Sequence, residues 1–272
     1  MKSINLTVPL YNEELVLSEN VVKILDFLKH SSLDNIYNWQ IVLANNSSTD
    51  KTEAIARELS VSFPPPICRP RERGDPVEGR LQRESSGQST GSPLKAGMTI
   101  TYLFIPQKGK GLAIKTAWQK FPTDYYVFMD ADLATDLEAL PRLVQELENG
   151  ADLVIGSRYL PDSKTERSLA RLLISKIYRG LARVWLGLPF SDLPCGFKGV
   201  NHKLITSLIS RIKNNEWFFD TELLFRAYRA GYKIKEIPVT WTETPNQKRK
   251  SRVGIIRVSW NYLKEMFCLK CF

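Results

Sequence analysis

The chain has 272 residues, 43% hydrophobic and 25% charged. That is enough apolar content for a sizeable core in one domain, or one domain with an appendage, and it excludes a mainly disordered protein. Lysine and arginine outnumber the acids by nine, giving a pI near 9.3, which points to an anionic partner such as nucleic acid, a phosphorylated substrate or an acidic membrane surface.

Met1-Lys2 leads straight into a strand-like run over 4–10, with no long apolar stretch of the signal-peptide kind. Further β-rich runs are predicted over 40–44, 99–105, 125–129 and 152–155. Helices with apolar residues at helical spacing are predicted between them, over 13–29, 51–60, 112–120 and 141–148. This alternation predicts an α/β fold with a mostly parallel central sheet and helices on both faces. Ligands in such sheets sit at the carboxyl ends of the strands. Residues 61–97, with six prolines and five glycines, read as a disordered insertion. It is either a regulatory or contact loop, or dispensable to the fold. No run of about 18 apolar residues predicts a spanning helix. Cys68, Cys195, Cys268 and Cys271 make no paired metal-ligand sets with histidine, only one terminal CxxC, so a reduced cytosolic chain is expected.

Polar clusters fall at three strand ends. After the run 125–129 stand Asp130 and Asp132. One aspartate there reads as a turn or cap residue, but Thr135 and Asp136 are already available to cap the next helix. A carboxylate pair suits Mg²⁺ or Mn²⁺, completed by substrate phosphates, and such a metal offsets the charge of a departing diphosphate. After the first strand, "TVPLYNEE" offers Pro9, Tyr11, Asn12 and Glu13, an aromatic face for a base and polar groups for a ribose. The same stretch reads equally well as a strand, a turn and a capped helix. "LANNSSTDKT" repeats the pattern at the second strand. Lys108-Gly109-Lys110-Gly111 lacks the third glycine of a dinucleotide fingerprint, since Ile114 stands there, and reads as a tight turn with its lysines near a diphosphate.

Taken in order, "VPLYNEE", "ANNSSTDKT", "KGKGLAIKTA", "MDADLAT", "IGSRY", "CGFKG" and "WFFDTELLFRA" resemble the family 2 glycosyltransferases of GT-A (Rossmann-like) fold. The nearest resemblance is to the polyprenyl-phosphate hexose synthases, the dolichyl-phosphate mannosyl- and glucosyltransferases. The resemblance implies that Pro9, Tyr11, Glu13, Asn45, Lys110 and Asp130 bind the nucleotide. It makes Asp130 and Asp132 the DxD pair, with Asp132 the principal ligand of Mg²⁺ or Mn²⁺. Asn45 and Asn46 stand where many relatives have two aspartates. Ala134 stands where mannosyl-type members carry a glutamine, and with "NEWFFDTELL" and "IPVTWTE" this is closer to the glucosyl type.

By family position Arg158 and Lys198 are expected to clamp the acceptor phosphate and Asp220 to lie near the reacting sugar. Asp220 reads equally as the N-cap of a helix over 223–230. The implied activity is metal-dependent, inverting transfer of glucose or mannose from a nucleotide diphosphate sugar to a polyprenyl or dolichyl phosphate. That acceptor is already ionised and needs no strong base. The alternatives are a saccharide or other non-lipid acceptor, and, from another class, nucleic-acid binding, for which no recognised motif is present.

A lipid substrate requires a membrane surface. Lys176, Arg179 and Arg183 recur at i, i+3 and i+7 on a helix over 168–185, beside Leu172, Leu173, Ile177 and Trp185. Lys248-Arg249-Lys250 precedes the stripe Ile256, Trp260, Leu263 and Phe267. Both read as interfacial helices attracted to anionic headgroups, or as ordinary core-facing helices with solvated charges. The expected organisation is a transferase domain over 1–244 and a basic, amphipathic C-terminal membrane-associating segment over 245–272. The protein is expected to be peripheral on the cytosolic face of a membrane, alone or with a membrane-protein partner.

Overall fold

The computed structural model describes residues 1–62, 97–166, 169–242 and 255–270. Seven strands form one sheet: β1 (Lys2–Leu10), β2 (Tyr37–Asn46), β3 (Met98–Ile105), β4 (Tyr125–Met129), β5 (Leu153–Ser157), β7 (Phe197–Asn201) and β8 (Ile234–Pro238). Their order is β3-β2-β1-β4-β7-β5-β8. The neighbours β3, β2, β1 and β4 run parallel, as do β5 and β8, while β7 is antiparallel to both β4 and β5. Two short strands, β6 (Lys164–Glu166) and β9 (Thr240–Thr242), pair separately.

Helices cover both faces because the central strands are apolar on both. In β4, Tyr125, Val127 and Met129 join one core cluster and Tyr126 and Phe128 the other, so all five residues are buried. The first cluster is closed by α1 (Leu17–His30), α2 (Thr52–Ser62) and α4 (Ala139–Glu148). The second is closed by α3 (Lys110–Lys120), α5 (Leu169–Leu186), α6 (His202–Leu208), α7 (Phe219–Arg229) and α8 (Ile255–Lys270). A fully buried run of this kind is what the centre of a two-sided sheet requires.

The predicted strands and helices are present, with ends shifted by a few residues. Two placements come from the fold. Lys198 is the second residue of β7; because β7 is antiparallel, its first residue Phe197 pairs with the last of β4, Met129, and so enters at the ligand edge. Asp220, read as an alternative N-cap, lies within the first turn of α7, whose N-cap is Phe218.

On α8 the buried face is Tyr262, Met266 and Leu269, while of the expected stripe Leu263 is half-buried and Phe267 exposed. The side chains of Leu172, Leu173, Ile256 and Trp260, the basic run 248–250 and residues 63–96 of the insertion expected over 61–97 lie outside the described residues, while Val61 and Ser62 belong to α2. Among the described residues no helix is long and apolar enough to cross a membrane.

Candidate active site

The loops after β1, β2 and β4 each contain one non-glycine residue with positive φ: Asn12 at 56°, Ser47 at 57° and Leu133 at 51°. Left-handed backbone costs a non-glycine residue on the order of 1–2 kcal/mol, and such residues gather at ligand sites. The first two loops are laced together. The Asn12 side-chain oxygen accepts from Thr49 N at 2.7 Å, Thr52 Oγ1 accepts from Glu13 N at 2.7 Å, and Glu14 accepts from Lys51 N at 3.0 Å. Pro9 lies one residue before the end of β1, paired with Ala44, and places Tyr11 beyond it with Lys108 Nζ donating to the Tyr11 hydroxyl at 2.7 Å.

Asn45 is fully buried; its amide donates to the Tyr102 hydroxyl at 3.1 Å and its oxygen accepts from Ser48 N at 3.2 Å. Its neighbour Asn46 is also buried, and its side-chain oxygen has no hydrogen-bond partner among the described residues. An unsatisfied acceptor is costly in an interior, and here it lies at the strand end where a ligand donor would satisfy it.

At the end of β4, Asp130 and Lys110 form an ion pair at 2.7 Å. Lys110 Nζ also lies 3.7 Å from Asp220, whose other oxygen accepts from Lys198 Nζ at 2.6 Å. Two carboxylates and two ammonium groups thus alternate as Asp130, Lys110, Asp220, Lys198, and the last three are buried. Burial works against the Lys110 charge, but Asp130 and Asp220 outweigh it and raise its pKa.

Two glycines make the arrangement possible. A Cβ on Gly196 would overlap the Asp130 carboxylate, and one on Gly111 would approach the Phe219 Cβ to 2.5 Å. Lys110 is flanked further by the Trp217 ring at 5.1 Å, a residue that sequence periodicity did not single out.

Arg158 and Lys198, expected to clamp an acceptor phosphate, are each paired with a buried carboxylate. Arg158 reaches buried Asp192 through Nε at 2.6 Å and a terminal nitrogen at 2.7 Å, and lies over the Trp241 ring. Lys198 is fully buried between Asp220 and the Cys195 carbonyl. Both cations are taken up by carboxylates because an unpaired charge at such depth is prohibitive. Asp192 carried a usable signal, an acid three positions before the "CGFKG" run. Arg179 of α5, without a carboxylate partner among the described residues, lies 4.4 Å from the centroid of the Tyr159 ring in the loop after β5.

Asp130 and Asp132 supply oxygen donors from a single turn, and Asp132 accepts from Ala134 N at 3.1 Å. Among the described residues no three His, Cys, Asp or Glu side chains converge. Two carboxylates fit a hard divalent cation whose remaining ligands come from substrate phosphates, and they do not fit a cation held by protein alone.

A mixed sheet with a carboxylate pair after its central parallel strand, and laced loops at the same edge, agrees with the GT-A fold that the sequence resembles. The glycosyl transferase family 2 model matches residues 6–81 and 85–208, and the chain belongs to that family. It is 26% identical over 260 residues to the polyprenol monophosphomannose synthase of Mycolicibacterium smegmatis, covering 95% of this chain and 82% of that one. It is 27% identical over 268 residues to a dolichyl-phosphate beta-glucosyltransferase of Trichomonas vaginalis, covering 96% and 72%. With glycosyltransferase AglD of Haloferax volcanii the identity is 37% over 150 residues, 55% of this chain but only 23% of that longer protein. Among solved structures, glucosyl-3-phosphoglycerate synthase of Mycobacterium tuberculosis, in complex with Mn²⁺, UDP and phosphoglyceric acid, superposes with a TM-score of 0.62 at 17% identity, covering 99% of this chain and 78% of that one.

Proposed function

We propose that this glycosyltransferase moves a hexose, glucose or mannose, from a nucleotide diphosphate sugar to a polyprenyl phosphate at the cytosolic face of a membrane, with inversion. The observation that carries the reading is the alternating tetrad of Asp130, Lys110, Asp220 and Lys198 at the ligand edge of the sheet. The names of the relatives, a polyprenol monophosphomannose synthase and dolichyl-phosphate glucosyltransferases, support the acceptor class. The Mn²⁺ and UDP in the structural neighbour support a metal and a nucleotide-sugar donor.

Asn45, Asn46, Tyr11 and Glu13 line the nucleotide side. Asp132 and Asp130 would hold Mg²⁺ or Mn²⁺, which when bound offsets charge on the departing diphosphate. Lys110 holds Asp130 and Asp220 at fixed separation, and Lys108 extends positive charge towards the diphosphate. The acceptor phosphate oxygen attacks the anomeric carbon, the bond from that carbon to the diphosphate breaks, and its electron pair leaves with the nucleotide. No proton need be removed, which agrees with an Asp220 already committed to two lysines. Arg179 replaces Arg158 and Lys198 as the cation assigned to the acceptor phosphate.

Membrane contact is assigned to α5, where Ile177, Leu181 and Val184 are exposed at i, i+4 and i+7 beside Lys176 and Arg183, and to exposed Phe267 of α8. The test is transfer of labelled sugar from UDP-glucose and from GDP-mannose to a short polyprenyl phosphate with Mn²⁺ or Mg²⁺. Metal-dependent lipid labelling by one donor, abolished in Asp132→Ala, is expected. No labelling of the lipid by either donor, with the protein folded, would overturn the lipid-phosphate reading.

A further inference from the structure

A groove of about 460 Å³ lies between α5, α6, α7 and α8. Its polar wall is Arg211, Arg226 and Arg229; its apolar wall includes Trp185, Phe225 and Leu269. Arg226 pairs with buried Glu222 at 2.6 Å, whose carboxylate also accepts from Lys213 N and Asn214 N. Neither Arg211 nor Arg229 has a carboxylate partner among the described residues.

Capping the end of α7 does not explain these cations. The carbonyls of Arg226, Ala227 and Tyr228 already accept from Ala230 N, Tyr232 N and Gly231 N, with Gly231 left-handed at φ 77°. The groove therefore joins two exposed guanidinium groups, without carboxylate partners among the described residues, to a wall of aromatic and aliphatic side chains. The Trp185 and Phe267 rings meet at a centroid distance of 4.5 Å, tilted by 60°, so the wall continues into the exposed apolar surface of α5 and α8.

We infer that this groove binds the phosphate headgroup of an anionic membrane phospholipid, with its acyl chain along α5 and α8. The groove is distinct from the acceptor position, because α7 sets Arg229 about 13–14 Å along its axis from Asp220. The inference rests on the membrane assignment of α5 and α8 made above. Guanidinium groups suit a phosphate geometrically, and tryptophan beside arginine is the composition of a membrane–water interface. Bound there, an anionic lipid would orient the ligand edge of the sheet relative to the bilayer.

The test is flotation of the full chain with vesicles of phosphatidylcholine alone or with one third phosphatidylglycerol. The Arg211→Gln/Arg229→Gln variant is compared with Lys29→Gln/Arg142→Gln, which loses the same charge on the α1 and α4 side of the sheet. The groove variant is expected to lose on the order of tenfold or more in affinity for the anionic vesicles, the control little, and neutral vesicles should not distinguish the two. Equal loss in both variants would show a diffuse charge effect and overturn the site. Unchanged binding in the groove variant would do the same and direct the groove to a protein partner. Displacement by soluble glycerol phosphate as readily as by lipid would overturn the lipid assignment in favour of a free phosphate. Sugar transfer in detergent by the groove variant is expected to be unchanged; a protein that transfers no sugar at all would refute the proposed reaction while leaving the vesicle result standing.

Discussion

Replacing Asp220 with asparagine removes the carboxylate that holds Lys198, leaving a buried ammonium without a counter-charge. The expected loss of stability is about 3–5 kcal/mol, and Asp220→Leu with Lys198→Met should recover most of it without recovering transfer. Chemical denaturation of the two variants checks this; equal stabilities would show that the pair is not coupled.

Lys110 gives a pH-dependent case. Its pKa is raised on folding, so the stability it supplies is fully present below its unfolded value of about 10.4 and fades as pH climbs through the folded one. The gap in denaturation midpoint between wild type and Lys110→Met should therefore be flat from pH 6 to 9 and narrow above about 10. Cys195 is expected to be inert, because burial and the nearby Asp192 push its thiol up to about 11. Iodoacetamide at pH 8 should modify exposed Cys268 and leave Cys195 unlabelled until the protein is unfolded, as read by mass spectrometry.

Among elements, the antiparallel β7 contributes most to the site, for it brings Gly196 and Lys198 to the edge where the parallel strands end. Gly196→Ala should displace the Asp130 carboxylate, lowering kcat by at least an order of magnitude while changing stability by only about 1–3 kcal/mol. Steady-state kinetics and thermal unfolding separate the two effects, and a fully active, stable variant would refute the close approach. The α8 helix acts at a distance from the chemistry: the Tyr262 hydroxyl donates to the Trp217 carbonyl at 2.7 Å, and the Trp217 ring lies over Lys110. The α5 helix reaches the same region, since the Tyr178 hydroxyl bonds the Thr221 hydroxyl next to Asp220 at 2.6 Å. Helices that meet the membrane in the proposed function are therefore bonded to residues adjoining the tetrad.

For the whole molecule, the described sheet closes without residues 63–96, because α2 and β3, which flank them, both pack on it. Replacing that segment with a short Gly-Ser linker should preserve cooperative unfolding and transfer; loss of either would give the segment a structural or catalytic role. The amino-acid sequence alone determined the alternation of strands and helices, since periodicity is local and buried parallel strands must be apolar along their whole length. It also determined the polar strand ends at Tyr11, Asn45 and Asp130, where residue type and position along the chain are enough. Tertiary structure decided which charges meet. Lys110, Asp130, Lys198 and Asp220 are spread over about 110 residues, and only the β7 reversal and the approach of α7 to α3 bring them together. It likewise turned Tyr262, not Phe267, towards the core, and paired Arg158 with Asp192, because a charge buried far from water must find its partner wherever the fold places one.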